Sequence, residues 1–250
     1  GMLSAALTAG LCAAGAEVCD GGVLPTPAVA LLTRQLGAQA GVVISASHNP
    51  MDDNGIKFFD ADGHKLSDEE ERALETVIFD DTRTLPAPTG AAVGACRWLA
   101  DAPDRYAALV RATLPAGTPL AGLKVVVDGA NGAASAITPR LLRELGAEVV
   151  AINCAPDGIN INAGCGSLHL DALAAAVVRE GAALGFAHDG DADRVLFVDE
   201  RGRAVDGDRI MALLALQLKA AGRLADNTLM TTMMSNLGLE NFLTAQGVTV

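Results

Sequence analysis

The sequence predicts an α/β protein built as successive units. Three observations carry this: strand-like and helix-like segments alternate along the chain, half of its 250 residues are apolar, and aromatics are only 3%. A chain of this length can bury a substantial core, and so few rings require that core to be layered from small aliphatic side chains. The apolar content excludes disorder.

Residues 4–14 read as a helix, 17–19 as a strand, and Pro25-Thr26-Pro27 leads into a helix over 28–36. Ala14-Gly15-Ala16 looks superficially like a signal cleavage site, but no basic segment precedes it, so an ordinary helix is expected. The continuous apolar run Gly41-Val42-Val43-Ile44 reads as an interior parallel strand over 41–45, followed by a polar loop, 46–54, in which Pro50 forbids helix. Ligands in open α/β sheets sit where such strands end.

Residues 80–94 carry no period, and a helix rich in Asp, Arg and Ala starts at Pro103. The boundary of a first domain, residues 1–100, is therefore placed near Ala100. A second domain, 101–203, is expected to hold strands at 124–128, 148–153, 184–187 and 194–198, with helices at 136–145 and 170–180. A turn is read at Asn131-Gly132 and a hairpin turn at 199–203. A third unit, 204–250, opens with a helix over 206–221 and a strand over 227–233, in a sheet expected to be unfinished here, leaving apolar surface at 210–218 uncovered.

The formal net charge of −12 and the lack of a basic patch argue against a nucleic-acid partner. No later apolar run approaches the ~20 residues that cross a bilayer. The five cysteines are odd in number, scattered and without a Cys-x-x-Cys pair, so they are read as reduced thiols of a cytoplasmic chain.

Two segments carry chemistry. In the first, Ser47 follows the buried strand with His48 and Asn49 beside it and Lys57 beyond, which suits a phosphoryl acceptor ringed by donors and equally suits a plain polar loop. In the second, His188-Asp189-Gly190-Asp191-Ala192-Asp193-Arg194, three carboxylates alternate at a strand end. Carboxylates so close repel unless a cation neutralises them, and oxygen ligands select a hard ion, Mg²⁺ or Ca²⁺; a solvated acidic turn is the plain alternative. An EF-hand loop is rejected because Arg194 occupies the sixth place, where Gly is required. A phosphatase of the haloacid-dehalogenase type, with an aspartyl nucleophile in Asp191-Ala192-Asp193-Arg194-Val195, stays open. Ser47 lacks the Gly-x-Ser-x-Gly elbow of a serine hydrolase.

Taken together and in this order, Ser45-Ala46-Ser47-His48-Asn49-Pro50 and Asp189-Gly190-Asp191-Ala192-Asp193-Arg194 resemble the phosphoserine and metal loops of the α-D-phosphohexomutases. Residues 53–59, 158–162, 165–167 and 234–240 are similar to the branch acting on glucosamine phosphates, with Leu168 standing where that branch usually has Thr. The resemblance implies successive three-layer α/β domains with mixed, mostly parallel sheets. It also implies a four-domain protein, of which this chain lacks the start of the first domain, most of the third and all of the fourth.

The activity implied is interconversion of glucosamine 6-phosphate and glucosamine 1-phosphate through a bisphosphate, with another hexose phosphate as the alternative substrate. Ser47 would carry the phosphoryl group, primed by a hexosamine or hexose 1,6-bisphosphate or by phosphorylation. Mg²⁺ would be held by Asp189, Asp191, Asp193 and the phosphorylated Ser47. Lys57 would transfer a proton or neutralise charge, with a pKa lowered by neighbouring cations, while Arg194 and His48 would contact phosphate. The partner implied is a small sugar phosphate, with room left for a homodimer. The isolated 250 residues are expected to be inactive, and a non-catalytic metal- or phosphate-binding piece is the reading from a different class.

Overall fold

A computed structural model of the chain describes residues 1–80, 84, 87–114 and 120–250. The irregular stretch read at 80–94 lies partly outside these; within them it holds a short 3₁₀ turn, Gly90–Ala92.

The amino-terminal region begins with helix α1 (Met2–Ala13), strand β1 (Val18–Asp20) and helix α2 (Thr26–Leu36). α2 starts two residues ahead of the expected helix, because proline is tolerated in a first turn, and it ends on Gly37 in the left-handed conformation. Strand β2 (Gly41–Ser45) has the expected bounds but pairs antiparallel with β3 (Gly55–Phe59), correcting the parallel reading. An unbroken apolar run reports burial and is silent on the direction of the partner. Residues 46–54 are therefore the connection of a β-hairpin, and β3 went unread because its side chains only half alternate.

Helix α3 (Asp68–Ile78) was also unread, although Ser67 and Glu70 form a reciprocal capping box at its start. β4 (Cys96–Trp98) pairs parallel with β1. Trp98 is 65% exposed, with its ring lying across Gly22.

Helix α4 (Ala102–Ala112) leads to the five-stranded sheet, ordered β6-β5-β7-β8-β9. β5 (Lys124–Asp128), β6 (Glu148–Ile152) and β7 (Leu184–His188) are parallel, while β8 (Val195–Asp199) and β9 (Ala204–Val205) run antiparallel. Alternation along β5 sends Val126 to one face, where it packs with Leu173 and Val177 of helix α6 (Asp171–Glu180), and Val125 and Val127 to the other, where Leu142 of helix α5 (Ile137–Glu144) covers them. Helices on both faces make the three layers. Burying a leucine such as Leu173 contributes about 2 kcal/mol.

Leu24, Ala28 and Leu32 cluster with Ala102 and Ile137, joining α2 to α4 and α5. This contact brings the amino-terminal region against the five-stranded sheet.

Helix α7 (Gly207–Ala220) packs through Ala215 on Leu239 and Leu243 of helix α8 (Leu237–Ala245), which was unread. Of the surface expected to be uncovered at 210–218, Leu213 and Leu214 are exposed, whereas Ala215 is buried and Met211, Ala212 and Leu216 pack beside it against α8 and its neighbours. The strand read at 227–233 is absent: Thr228 makes a single bridge to Thr249, and Met230, Met233 and Met234 face solvent. One bridge does not satisfy a strand's backbone, so the apolar residues there do not indicate a ladder.

Candidate active site

The acidic loop links β7 to its antiparallel neighbour β8, so both its ends are pinned by one sheet ladder. Asp189 and Asp191 are each 1% exposed, and Asp193 is exposed at the rim. One carboxylate oxygen from each of the three lies within 4.8 Å of the others. The loop turns through Ala192 with φ 55°, and the Arg194 backbone N–H donates to Asp189 Oδ1 at 3.0 Å. The Arg194 side chain is half exposed, its Nε 3.9 Å from Asp193 Oδ1, so the loop is buttressed by its backbone while the guanidinium stays free to meet an anion.

The region before Ala100 supplies the remaining partners. Lys57, in β3, donates to Asp191 Oδ2 at 2.6 Å and to Asp193 Oδ2 at 3.0 Å. Thr26, at the start of α2, donates its hydroxyl to Asp191 Oδ2 at 2.5 Å and its backbone N–H to Asp191 O at 2.8 Å. Burial works against the Lys57 ammonium, yet the two carboxylates outweigh it and hold its pKa above the usual lysine value. The expected lowering is thereby corrected, since the groups facing Lys57 are anions. Asp191 is likewise pushed up by burial but ends below the usual carboxylate range through Lys57 and Thr26. Asp189 has no cation of its own, and burial followed by the neighbouring Asp191 and Asp193 raises it to about 6.

The serine loop is held from outside itself. Ser47 is half-buried in a left-handed conformation, φ 54°, and its N–H donates to Ser45 Oγ at 2.9 Å. A Cβ on Gly190 would stand 2.5 Å from the Ser47 carbonyl oxygen, so only glycine lets the two loops approach this closely. Asn162 donates to the carbonyls of Ser47 and Asn49, both at 2.8 Å. The turn at Asn131-Gly132 supports the acidic loop, with the Ala133 N–H donating to Gly190 O at 2.8 Å.

Among the described residues, the buried side-chain atoms without a hydrogen-bond partner are His48 Nδ1, Ser167 Oγ, His188 Nδ1, Asp189 Oδ2 and Asp191 Oδ1. All belong to the two loops or to the residues directly behind them. Two unpaired carboxylate oxygens in a three-carboxylate cluster suit a hard divalent cation. His188 bonds Thr138 Oγ1 through Nε2 at 3.2 Å, and burial lowers its pKa. Cys165 is buried, and burial raises its thiol to about 11, which suits a structural residue.

The chain matches three models described as phosphoglucomutase/phosphomannomutase alpha/beta/alpha domains I, II and III, over residues 1–84, 104–202 and 206–250. The chain belongs to the phosphoglucomutase/phosphomannomutase family. This family member is similar to phosphoglucosamine mutase from Desulforamulus reducens, 57% identical over 249 residues, covering 100% of this chain and 56% of the relative. It is similar also to phosphoglucosamine mutase from Symbiobacterium thermophilum, 56% identical over 247 residues, covering 99% of this chain and 55% of the relative. The chain thus spans little more than half the length of these relatives. A phosphoglucomutase/phosphomannomutase family protein from Burkholderia thailandensis superposes with a TM-score of 0.80 at 27% identity, over 99% of this chain and 54% of that one. Parafusin from Paramecium shares the fold, with a TM-score of 0.64 at 17% identity over 94% of this chain and 49% of that one.

The structure brings Lys57 and all three aspartates of this phosphohexomutase chain into one cluster and sets the Ser47 backbone against it. Sequence reasoning assigned no role to Thr26 and Asn162. Thr26 was visible only as the middle of a Pro-Thr-Pro helix start, and Asn162 only as part of the resembling segment 158–162.

Proposed function

We propose that the whole protein interconverts glucosamine 6-phosphate and glucosamine 1-phosphate, and that these residues supply its phosphoryl-carrying serine and its Mg²⁺ site. The observation that carries the reading is the contact of the serine loop with a buried three-carboxylate cluster, at Gly190 against the Ser47 carbonyl. The glucosamine substrate rests on the similarity to relatives named phosphoglucosamine mutase.

Asp189, Asp191 and Asp193 would hold Mg²⁺, with an oxygen of the phosphorylated Ser47 as a further ligand. Bound there, Mg²⁺ offsets a phosphoserine charge of about −1.5 to −2 and polarises the phosphorus for in-line displacement. The substrate's 1-hydroxyl attacks the phosphorus, the bond to Ser47 Oγ breaks, and the hydroxyl proton ends on Ser47. After the bisphosphate turns around, Ser47 Oγ attacks the 6-phosphoryl group, the bond from phosphorus to O6 breaks, the Ser47 proton ends on O6, and glucosamine 1-phosphate is released. Lys57, whose pKa the facing carboxylates raise, would neutralise charge beside the transferring group, while His48 and the Arg194 guanidinium would contact the phosphoryl oxygens.

The domain division at Ala100 and residue 203 belongs to the same proposal. So does a cytoplasmic setting, for which the five free cysteines speak. No helix among the described residues is long and apolar enough to cross a membrane. Because a mutase must grip its intermediate in two orientations, residues 1–250 alone are proposed to bind Mg²⁺ and to turn over the sugar phosphate negligibly.

Phosphopeptide mapping of the active full-length protein tests the reading. Phosphate is expected on Ser47, alongside isomerisation of glucosamine 6-phosphate in a coupled assay. Phosphate on Ser45 alone would overturn the serine assignment, and a hydroxylamine-labile phosphate on Asp191 would favour the phosphatase.

A further inference from the structure

Asn162 touches neither the aspartate cluster nor Lys57 in any bond the structure gives, yet it reaches across 115 residues of sequence to the backbone of the reactive serine. Its Nδ2 carries two hydrogens, and both are used: one on Ser47 O and one on Asn49 O, each at 2.8 Å. The amide thus ties together the carbonyls of the residues on either side of His48. Its own backbone is anchored in the five-stranded sheet domain, where the Asn162 N–H donates to Ala130 O at 2.9 Å.

Ala130 is itself fixed. Asp128, fully buried at the end of β5, accepts the Ala130 N–H on Oδ1 at 2.8 Å, and the Asn153 side chain and Gly166 N–H on Oδ2 at 2.9 and 3.2 Å. Three residues further on, Ala133 N–H holds Gly190 of the acidic loop. One turn, 129–133, therefore carries both loops: the acidic loop directly and the serine loop through Asn162.

Ser47 needs such a hold. A left-handed conformation at a non-glycine residue costs roughly 1–3 kcal/mol and persists only where surrounding contacts impose it. Asparagine meets two demands at position 162: its φ of 57° is one that asparagine tolerates, and its amide is a double donor short enough to reach both carbonyls. Aspartate has the same shape but would set acceptor against acceptor.

We propose that Asn162 is a positioning residue that keeps Ser47 in its left-handed conformation and sets the serine loop in register with the aspartate cluster. The proposal rests on the phosphoryl-transfer reading above. In it, Asn162 acts on transfer and leaves both metal and sugar binding alone.

The test uses the full-length protein as wild type, Asn162→Gly and Asn162→Asp, with Ser47 phosphate followed by mass spectrometry. Asn162→Gly retains the left-handed backbone and removes only the amide, so thermal melting should stay within a few degrees of wild type. In both variants kcat is expected to fall about a hundredfold, the loss typical of an ångström-scale misplacement of reacting groups. KM for the sugar phosphate and the half-saturating Mg²⁺ concentration should stay within about twofold. Wild-type kcat in Asn162→Gly would overturn the proposal, as would a loss confined to KM or to Mg²⁺ affinity. Unfolding of Asn162→Gly would overturn it too, because the role would then be one of general stability. A wild-type protein that neither carries phosphate on Ser47 nor isomerises the sugar would instead defeat the underlying functional reading.

Discussion

The aspartate loop and the serine loop face each other, but they are built differently. The aspartate loop joins neighbouring strands of a five-stranded sheet covered by helices on both faces, and two of its carboxylates are almost fully buried. The serine loop hangs from a two-stranded hairpin, and its carbonyls are held by Asn162, Gly190 being the close neighbour that leaves them room. One loop takes its backbone path from its own sheet, with Thr26 and Lys57 bonding its carboxylates from the amino-terminal region, and the other has its carbonyls held by a residue more than a hundred positions away. A loop pinned by one sheet can thus face a loop whose backbone is held by residues distant in sequence.

The largest effect expected falls on the aspartate loop. Asp191→Asn removes a buried carboxylate that also binds Lys57 and Thr26, and transfer by the full-length protein should drop more than about a hundredfold with weakened Mg²⁺ dependence. Asp199→Asn, in the hairpin beyond, breaks only exposed bonds to Arg201 and Arg203 and should change the rate less than about twofold. Steady-state kinetics over a Mg²⁺ titration checks both, and equal losses would erase the distinction between loop and hairpin.

Next comes the contact between the loops. Gly190→Ala inserts a Cβ 2.5 Å from the Ser47 carbonyl oxygen and 2.6 Å from Ile161 Cδ1. The loops must part, and a loss in kcat of about a hundredfold is expected, with Mg²⁺ affinity lowered much less. Comparable losses in both would mean that the Ser47 ligand carries as much of the Mg²⁺ affinity as the three aspartates do.

Thr26→Val keeps the side-chain shape and removes the hydroxyl donated to Asp191. Isothermal titration should find Mg²⁺ affinity reduced about tenfold, the usual scale for a group that orients a metal ligand. Unchanged affinity would show that Asp191 needs no support from the amino-terminal region.

The smallest effect is chemical. Cys165 lies behind both loops with a thiol pushed up to about 11 by burial, so at pH 8 only about a thousandth of it is thiolate. Iodoacetamide at that pH should label the exposed Cys19 and spare Cys165. Rapid labelling of Cys165 would show that the packing beneath the loops opens readily.

Much of the five-stranded sheet was legible in the sequence. β5 was read to the residue, and α5, α6, β6, β7 and β8 within about one residue at each end, because buried strands and their covering helices carry clear periods. The misses share a cause. β3 is a half-exposed strand with no clear alternation, and 227–233 is apolar without being paired, so burial period was a poor guide to both. At the site, the aspartate triad was legible because three carboxylates in five residues are costly in any context, whereas Thr26 and Asn162 are ordinary polar residues until their partners are known.

By itself, then, the sequence determined the α/β class and displayed Asp189, Asp191 and Asp193 as a candidate cation site, because periodicity and crowded carboxylates are local signals, while Ser47 stood apart from a plain polar loop only through the family resemblance. The tertiary structure alone decided that β2 pairs antiparallel, that Lys57 faces carboxylates which raise its pKa, and that Asn162 bonds two carbonyls of the serine loop. Those outcomes depend on which buried donors and acceptors meet across 100 residues or more, or on which strand edge is free. Local pattern carries no record of such partners; only the packed chain, satisfying its buried polar groups, selects them.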